Sequence, residues 1–459
     1  MTPALLAILA YLLLQLGIGV VVSRRITSES DYLVAGRRLG YGLATFSIFA
    51  TWFGSETVVG SGGNAYRDGV SLASAEPFGY GLCLILMGLI FAGPLWRRKL
   101  TTLADLFRQR YSVTVERVAA VMLIPGSVLW AAAQVRGFGQ VLATASPGLS
   151  VEWAIAAAAG FTMLYTMFGG LLADAITDLV QGVVLVVGLV AVLIVVLVST
   201  SWDAATGPEA ALATSGAIHL LPTGTSWLEV LEEWSIPVAG SVVATELVSR
   251  VIATRTARVA RHAALMAGGL YLAMGVIPLV IGLVGRQLVP GLEHAEQVVP
   301  QVAQQVLPLA LYAVFVGGLI SAILSTVDST LLVASGLLSH NLIVPGFRVT
   351  SERVKLALAR AGVFTFGVAA YLLALRAEGV FELVEQASAF GTGGTLVTVS
   401  FGLFTPIGGP RTALATLVAG LAVYLLATYG GAPYPYLMSL GAALATYLAG
   451  AALERLVRR

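Results

Sequence analysis

Apolar residues in this chain run in long blocks, without the alternation of a half-buried strand or the one-sided stripe of a soluble helix. The blocks Ala4 to Val22, Gly182 to Val198 and Ala264 to Val284 are near or above the roughly 18 residues that mark a membrane-spanning helix. Apolar runs separated by charged or Pro/Gly-rich stretches predict thirteen transmembrane helices. They lie near 4 to 24, 40 to 62, 73 to 95, 115 to 142, 150 to 170, 174 to 199, 232 to 250, 261 to 286, 303 to 338, 357 to 376, 380 to 403, 411 to 429 and 434 to 452. The polar stretch from Trp202 to Glu233 reads as a connection that holds a short surface helix at most.

Composition agrees with a lipid solvent: 58% of the 459 residues are hydrophobic, 11% are charged, and the mean hydropathy is +0.89. The first apolar block has no basic residue before it and Arg24 and Arg25 after it, so it reads as a retained helix rather than a signal peptide. Net charge is only +2, but its distribution is ordered. With the amino terminus outside, 22 of the 26 lysines and arginines fall in internal connections or the carboxyl-terminal tail. That bias predicts an external amino terminus, a cytoplasmic carboxyl terminus and a plasma-membrane protein of the bacterial inner-membrane type.

Enzyme chemistry finds little support. No glycine-rich phosphate loop with a following Lys-Ser/Thr is present, His-Glu-x-x-His is missing, and the four histidines are scattered. Cys83 is the only cysteine and lies in an apolar segment, which excludes an internal disulfide and disfavours a thiolate metal site. No organic cofactor and no nucleic-acid partner are expected. The partners are a small-molecule substrate and the bilayer, for which a monomer suffices.

The acidic residues carry more information. Glu56, Glu76, Asp174, Asp178, Glu246, Asp328 and Glu385 fall within or at the edges of apolar segments, where a charge is expensive unless it faces a partner or an ion route. Glycines at 54, 60, 62 and 63 make the second segment a candidate for interruption, which would free backbone carbonyls for a cation. Close helix packing through small residues is the competing explanation. In the ninth segment, Ser325-Thr326-Val-Asp328-Ser329-Thr330 gathers hydroxyls and a carboxylate, hard oxygen donors suited to an alkali ion.

The run Tyr165-Thr166-Met-Phe-Gly169-Gly170-Leu171-x-Ala173-x-x-x-Thr177-Asp178-x-x-Gln181 resembles the signature of the sodium:solute symporter family. The segment from 46 to 63, its continuation Tyr66-x-x-Gly69, and the Ser325-Thr326 pair match in order and spacing. Within that family the chain looks most like the high-affinity choline transporters, through Ala50-Thr51-Trp52, Gly79-Tyr80, Leu129-Trp130-Ala131-Ala132-Ala133 and Ser325-Thr326-x-Asp328-Ser329. The resemblance implies an all-α, LeuT-like five-plus-five inverted repeat. On this chain that gives a peripheral first helix in 1–30, one repeat in 38–199, an external connection in 200–231, the second repeat in 232–403, and two peripheral helices with a basic tail in 404–459.

The resemblance also implies sodium-coupled symport by alternating access, with one or two sodium ions. It places the first sodium at backbone oxygens of Ala50, Phe53 and Ala322 and the side chains of Ser325 and Thr326. A second cation site would use Asp178, Ser325, Asp328 and Ser329. Trp52, Tyr80 and Trp130 match an aromatic cage for a quaternary ammonium, which is recognised by ring faces. Two departures keep the substrate open: Val238 replaces an expected tryptophan wall, and Glu76 replaces an uncharged amide. Choline or another cationic amine is expected, with an amino acid (proline-like) or other metabolite as an alternative. Proton coupling, and a membrane sensory module without transport, are further alternatives.

Overall fold

The structure is a computed structural model that describes residues 28–146, 148–198 and 224–458, together with 9, 10, 12–17, 21, 218 and 221. It is all helical. In chain order the elements are α1 (Glu29–Val34), α2 (Tyr41–Trp52), α3 (Ser61–Asp68), α4 (Phe78–Arg97), α5 (Ala104–Arg110), α6 (Val113–Ala145), α7 (Val151–Val198) and α8 (Trp227–Ile252). There follow α9 (Ala257–Leu288), α10 (Val298–Val306), α11 (Leu309–Phe347), α12 (Glu352–Arg376), α13 (Val380–Ala389), α14 (Thr392–Phe404), α15 (Pro410–Tyr429) and α16 (Pro435–Arg458).

The expectation of thirteen spanning helices is corrected. Among the described residues nine helices are long and apolar enough to cross a membrane, or ten if the pair α13 and α14, bent by 42°, forms one span. Counting apolar runs overstates the number for identifiable reasons. The run at 40 to 62 is not continuous, because α2 stops at Trp52, the chain breaks at Phe53 and Gly54, and a wide helical turn over Glu56–Gly60 then leads into α3. The run at 150 to 170 is the short first part of α7, ending where Gly170 takes φ 59° and ψ 173°. The predicted first helix at 4 to 24 falls largely outside the described residues.

Helix starts follow their local sequence. Ser112 accepts a hydrogen bond from the Val115 amide, Thr256 from Val259, and Ser226 forms a reciprocal capping box with Glu229. The centre of the bundle is α11, packed along α7 and α6, and almost every residue from Phe315 to Leu332 is buried. Small residues allow this approach. A Cβ added to Gly318 would stand 2.8 Å from the Leu185 backbone, and one on Gly188 would stand 2.9 Å from that of Phe315.

The connections sort onto two opposite faces. On one, Arg37 donates to the carbonyls of Leu100 and Ile252, Trp96 to Thr254, and Arg110 to Ile407, so the basic connections lie together. On the other, Tyr66 donates to Val289, Trp234 to Leu72, and Arg136 to Glu378. The site lies between these faces, where α2 breaks.

Candidate functional site

Helix α2 ends because Phe53 adopts φ −92° and ψ 65°, and a wide helical turn over Glu56–Gly60 then leads into α3. The broken ends are held by side chains. Gln134 of α6 accepts from the Ser55 amide at 2.8 Å and from its hydroxyl at 2.9 Å, while donating to Glu56 at 2.6 Å. Glu56 also accepts from the Gly54 amide at 3.3 Å. The fully buried Glu56 therefore serves the backbone it interrupts, and Gln134 is a supporting residue that sequence reasoning missed. Both explanations of the glycines have a place here. The break passes through Gly54, whereas a Cβ on Gly63 would meet the backbone of Ala295 and Glu296 at 3.1–3.2 Å.

On the other side of the break lies α11. The Thr326 hydroxyl lies 2.9 Å from the Thr51 carbonyl, 3.4 Å from that of Ala50 and 3.1 Å from that of Ala322. The fold thus brings together three of the five expected sodium ligands, Ala50, Ala322 and Thr326, and adds Thr51. Ser325 is buried and its hydroxyl faces Asp178 without a well-formed hydrogen bond. The Phe53 ring packs on Phe49 and Tyr271, with centroids 4.9 and 5.2 Å away. All these donors are hard oxygens, which fits an alkali cation. Among the described residues no group of three histidine, cysteine or carboxylate ligands could hold a transition metal.

The residues expected to form a second cation site sit in a larger ionic cluster. Asp178 accepts from Ser47 at 2.6 Å, Asp328 accepts from Thr166, and Ser329 donates to the Ser325 carbonyl at 2.6 Å. Arg250 stands among them, fully buried, with its guanidinium on Asp174 and Ser329. Arg250 is one of the 22 basic residues that the charge count places in internal connections, but α8 continues to Ile252 and carries it into the core. The available signal was an arginine between Leu247-Val248 and Val251-Ile252, too apolar a setting for a loop.

Three aromatic residues meet beside the break. Trp52 is the last residue of α2, and its ring lies 5.2 Å from that of Trp130 on α6. Trp130 lies 5.8 Å from Tyr80 on α4, whose hydroxyl bonds to Ser388 at 2.8 Å. All three are at least 95% buried. Val238 follows Pro237, which packs on Gly79 next to Tyr80, so the position is adjacent to the cluster but brings no ring face. Glu76 lies one turn before Tyr80. Its Oε1 accepts from Thr57 at 2.8 Å and Tyr271 at 2.5 Å, and it is one of the residues lining a cavity of about 650 Å³. A second, narrow cleft of about 30 Å³ is lined by Trp130, Ser241, Glu246 and Ser388 among others.

Residues 32–420 match the Sodium:solute symporter family. The chain belongs to that family. It is a sodium-coupled secondary active symporter that moves a small organic solute across a lipid bilayer, and not an enzyme. The symporter is similar to the human high affinity choline transporter 1, with 29% identity over 95% of this chain and 78% of the relative. It is 26% identical to the sodium/pantothenate symporter of Escherichia coli (strain K12), over 92% of this chain and 90% of that one. Its fold is that of a Na+-coupled sialic acid symporter solved in a substrate-bound outward-open state, with a TM-score of 0.85 and 17% identity over 99% and 98% of the two chains. A nucleobase-cation-symport-1 family transporter in a closed conformation follows the same path at a TM-score of 0.61 and 16% identity, over 94% and 96%. The five-plus-five inverted-repeat architecture accords with both likenesses.

Proposed function

We propose that the symporter imports a small organic cation, choline or a related amine, bound against Trp52, Tyr80 and Trp130 with Glu76 as its counter-charge. The carrying observation is the convergence of three buried rings from α2, α6 and α4 beside a carboxylate, since ring faces and an anion are what an alkylammonium requires. Sodium would bind at the break, between the carbonyls of Ala50 and Phe53 on α2 and Ala322, Ser325 and Thr326 on α11. Asp178, Ser325, Asp328 and Ser329, with Asp174 beside them, form a second cation site in this reading. Proton binding at the same carboxylates is the second reading, favoured by three buried acids around one arginine.

The proposed repeats are 38–199 and 232–403, with the peripheral helices flanking them, and the monomer is the transporting unit. The face that gathers the basic connections is cytoplasmic by the positive-inside rule, with the amino terminus outside. The 650 Å³ cavity would then open outward. Uptake of radiolabelled choline, proline and pantothenate into proteoliposomes, with inward sodium or potassium gradients, tests the proposal. Sodium-dependent uptake of choline that competing amines suppress is the expected result. Uptake of proline or pantothenate that no amine suppresses refutes it.

A further inference from the structure

The cavity ends on an unsatisfied acceptor. While Oε1 of Glu76 is shared by Thr57 and Tyr271, Oε2 is buried and has no hydrogen-bond partner, and the residue is only 5% exposed. Such a group costs free energy unless something donates to it, and a buried, unpaired carboxylate oxygen on a residue that lines a cavity points to a ligand donor. The Ala75–Gly79 turn, closed by a 2.6 Å hydrogen bond, holds Glu76 four residues before Tyr80 of the aromatic cluster.

The charges along the route have one sign. Glu229 and Glu233 line the cavity above Glu76, with Asp68, itself paired to Arg67 at 2.9 Å. Beyond the rings, Glu246 lines the narrow cleft, held by Ser127 and, at 3.1 Å, by Thr245. No arginine or lysine lines either space among the described residues. The only charged side chains a carboxylate on the solute would meet in these linings are acids, which disfavours zwitterions and anions. Trp130 Nε1, buried and without a partner, supplies one donor for an uncharged oxygen such as a hydroxyl.

We infer that the solute is an amino alcohol whose cationic nitrogen carries at least one hydrogen, donated to Glu76, and that this acceptor selects protonated amines over quaternary ammonium ions. The inference rests on the aromatic cluster and Glu76 being the solute site. A trimethylammonium group satisfies the rings but has no N–H, so it would leave Oε2 buried and unpaired. A dimethylammonium group has nearly the same size and charge and one N–H. The difference between these two isolates a single charge-assisted hydrogen bond, worth about ten- to a hundredfold in affinity.

The test uses the full-length protein in detergent and proteoliposomes with four probes that share one hydroxyl and one positive charge: ethanolamine, its N-methyl and N,N-dimethyl derivatives, and choline. Sodium-dependent binding should fall about ten- to a hundredfold between the dimethyl compound and choline, with smaller steps before it. In Glu76→Gln that last step should shrink to less than threefold, because the neutral amide binds an ammonium hydrogen weakly. Equal or tighter binding of choline in the wild type overturns the inference while leaving the organic-cation reading intact, as does an unchanged preference in Glu76→Gln. If none of the four binds in sodium and an anionic or neutral solute does, the organic-cation reading itself fails and the inference with it. Should Glu76→Gln not assemble, the wild-type series decides alone.

Discussion

Among the described residues Arg250 is the one fully buried guanidinium, in a core that holds Asp174, Asp178 and Asp328, and its removal makes a quantitative test of the cluster. The side chains of Arg250 and Asp174 are 0% and 3% exposed, so solvent cannot replace the lost partner. In Arg250→Met the three carboxylates keep only hydroxyl donors such as Ser47 and Thr166. Breaking a buried pair by deleting one member costs about 3–5 kcal/mol. Removing both members restores balance, so Asp174→Asn combined with Arg250→Met should recover most of that loss. The same reasoning gives a sodium signature. A cation at Asp178 and Asp328 can offset the missing guanidinium, so the single variant should gain more stability from sodium than the wild type. Saturation at a hundred times the dissociation constant would contribute about 2.7 kcal/mol. The assay is thermal unfolding of the purified protein in sodium and in potassium. If Arg250→Met melts within a degree of the wild type in potassium and the double variant is no better than the single, the charge accounting is wrong.

Replacing Trp52 or Trp130 with Ala should weaken solute binding at least tenfold and sodium binding by less than threefold, with Phe in between, as read by ligand-induced melting shifts; Phe retains a ring face and Ala does not. Thr326→Ala removes the hydroxyl that joins Thr51 to Ala322, so half-maximal uptake should need roughly tenfold more sodium, about 1.4 kcal/mol. Thr326→Ser should restore it. Outside the spans, burial pushes Asp105 up, but His340, at 3.5 Å, and the Thr101 and Thr102 amides hold its carboxyl below the ordinary range. Its contribution to stability is therefore complete above the ordinary aspartate pKa and is lost as pH falls through the depressed value. Melting scans should show Asp105→Asn less stable than the wild type at neutral pH and the difference closing in acid.

What the sequence made legible follows from which forces act along the chain and which across it. Apolar length located most helices, and the Ser325-Thr326 hydroxyls were recognisable as residue types that need a reason to be in lipid, whereas Trp52 and Trp130 stood out only through the family resemblance. The helix count failed because hydropathy is blind to backbone continuity: the run at 40 to 62 reads as one segment, but α2 stops at Trp52. Arg250 failed for the opposite reason, since a charge was read as a boundary when partners from α7 and α11 bury it. Gln134 was invisible because an amide in a helix has no pattern of its own. Its role is set by Ser55 and Glu56, more than seventy positions away in the chain.

The break in α2 also explains how two cargoes can feel each other without touching. Ala50 and Trp52 are two residues apart at the end of one helix, the first presenting its carbonyl to Thr326 and the second its ring to Trp130. A continuous helix would spend those carbonyls on its own next turn and would fix both sides through a rigid rod. Interruption leaves the last turn of α2 positioned by what it binds. In the proposed sites, a cation shared with α11 would order the Ala50 carbonyl, and the same ordering would set the direction of the Trp52 ring. The linkage runs both ways, because a solute that holds Trp52 in place also prepares the carbonyl. Typical couplings of this kind are about 1–3 kcal/mol, which amounts to roughly 5–150-fold in apparent affinity. Gln134 and Glu56 satisfy the amides of Gly54 and Ser55, which would leave the oxygens of the preceding turn for the proposed ion. Loss of Gln134 should therefore weaken sodium and solute binding together, whereas loss of Thr326 or Trp52 acts first on one of them.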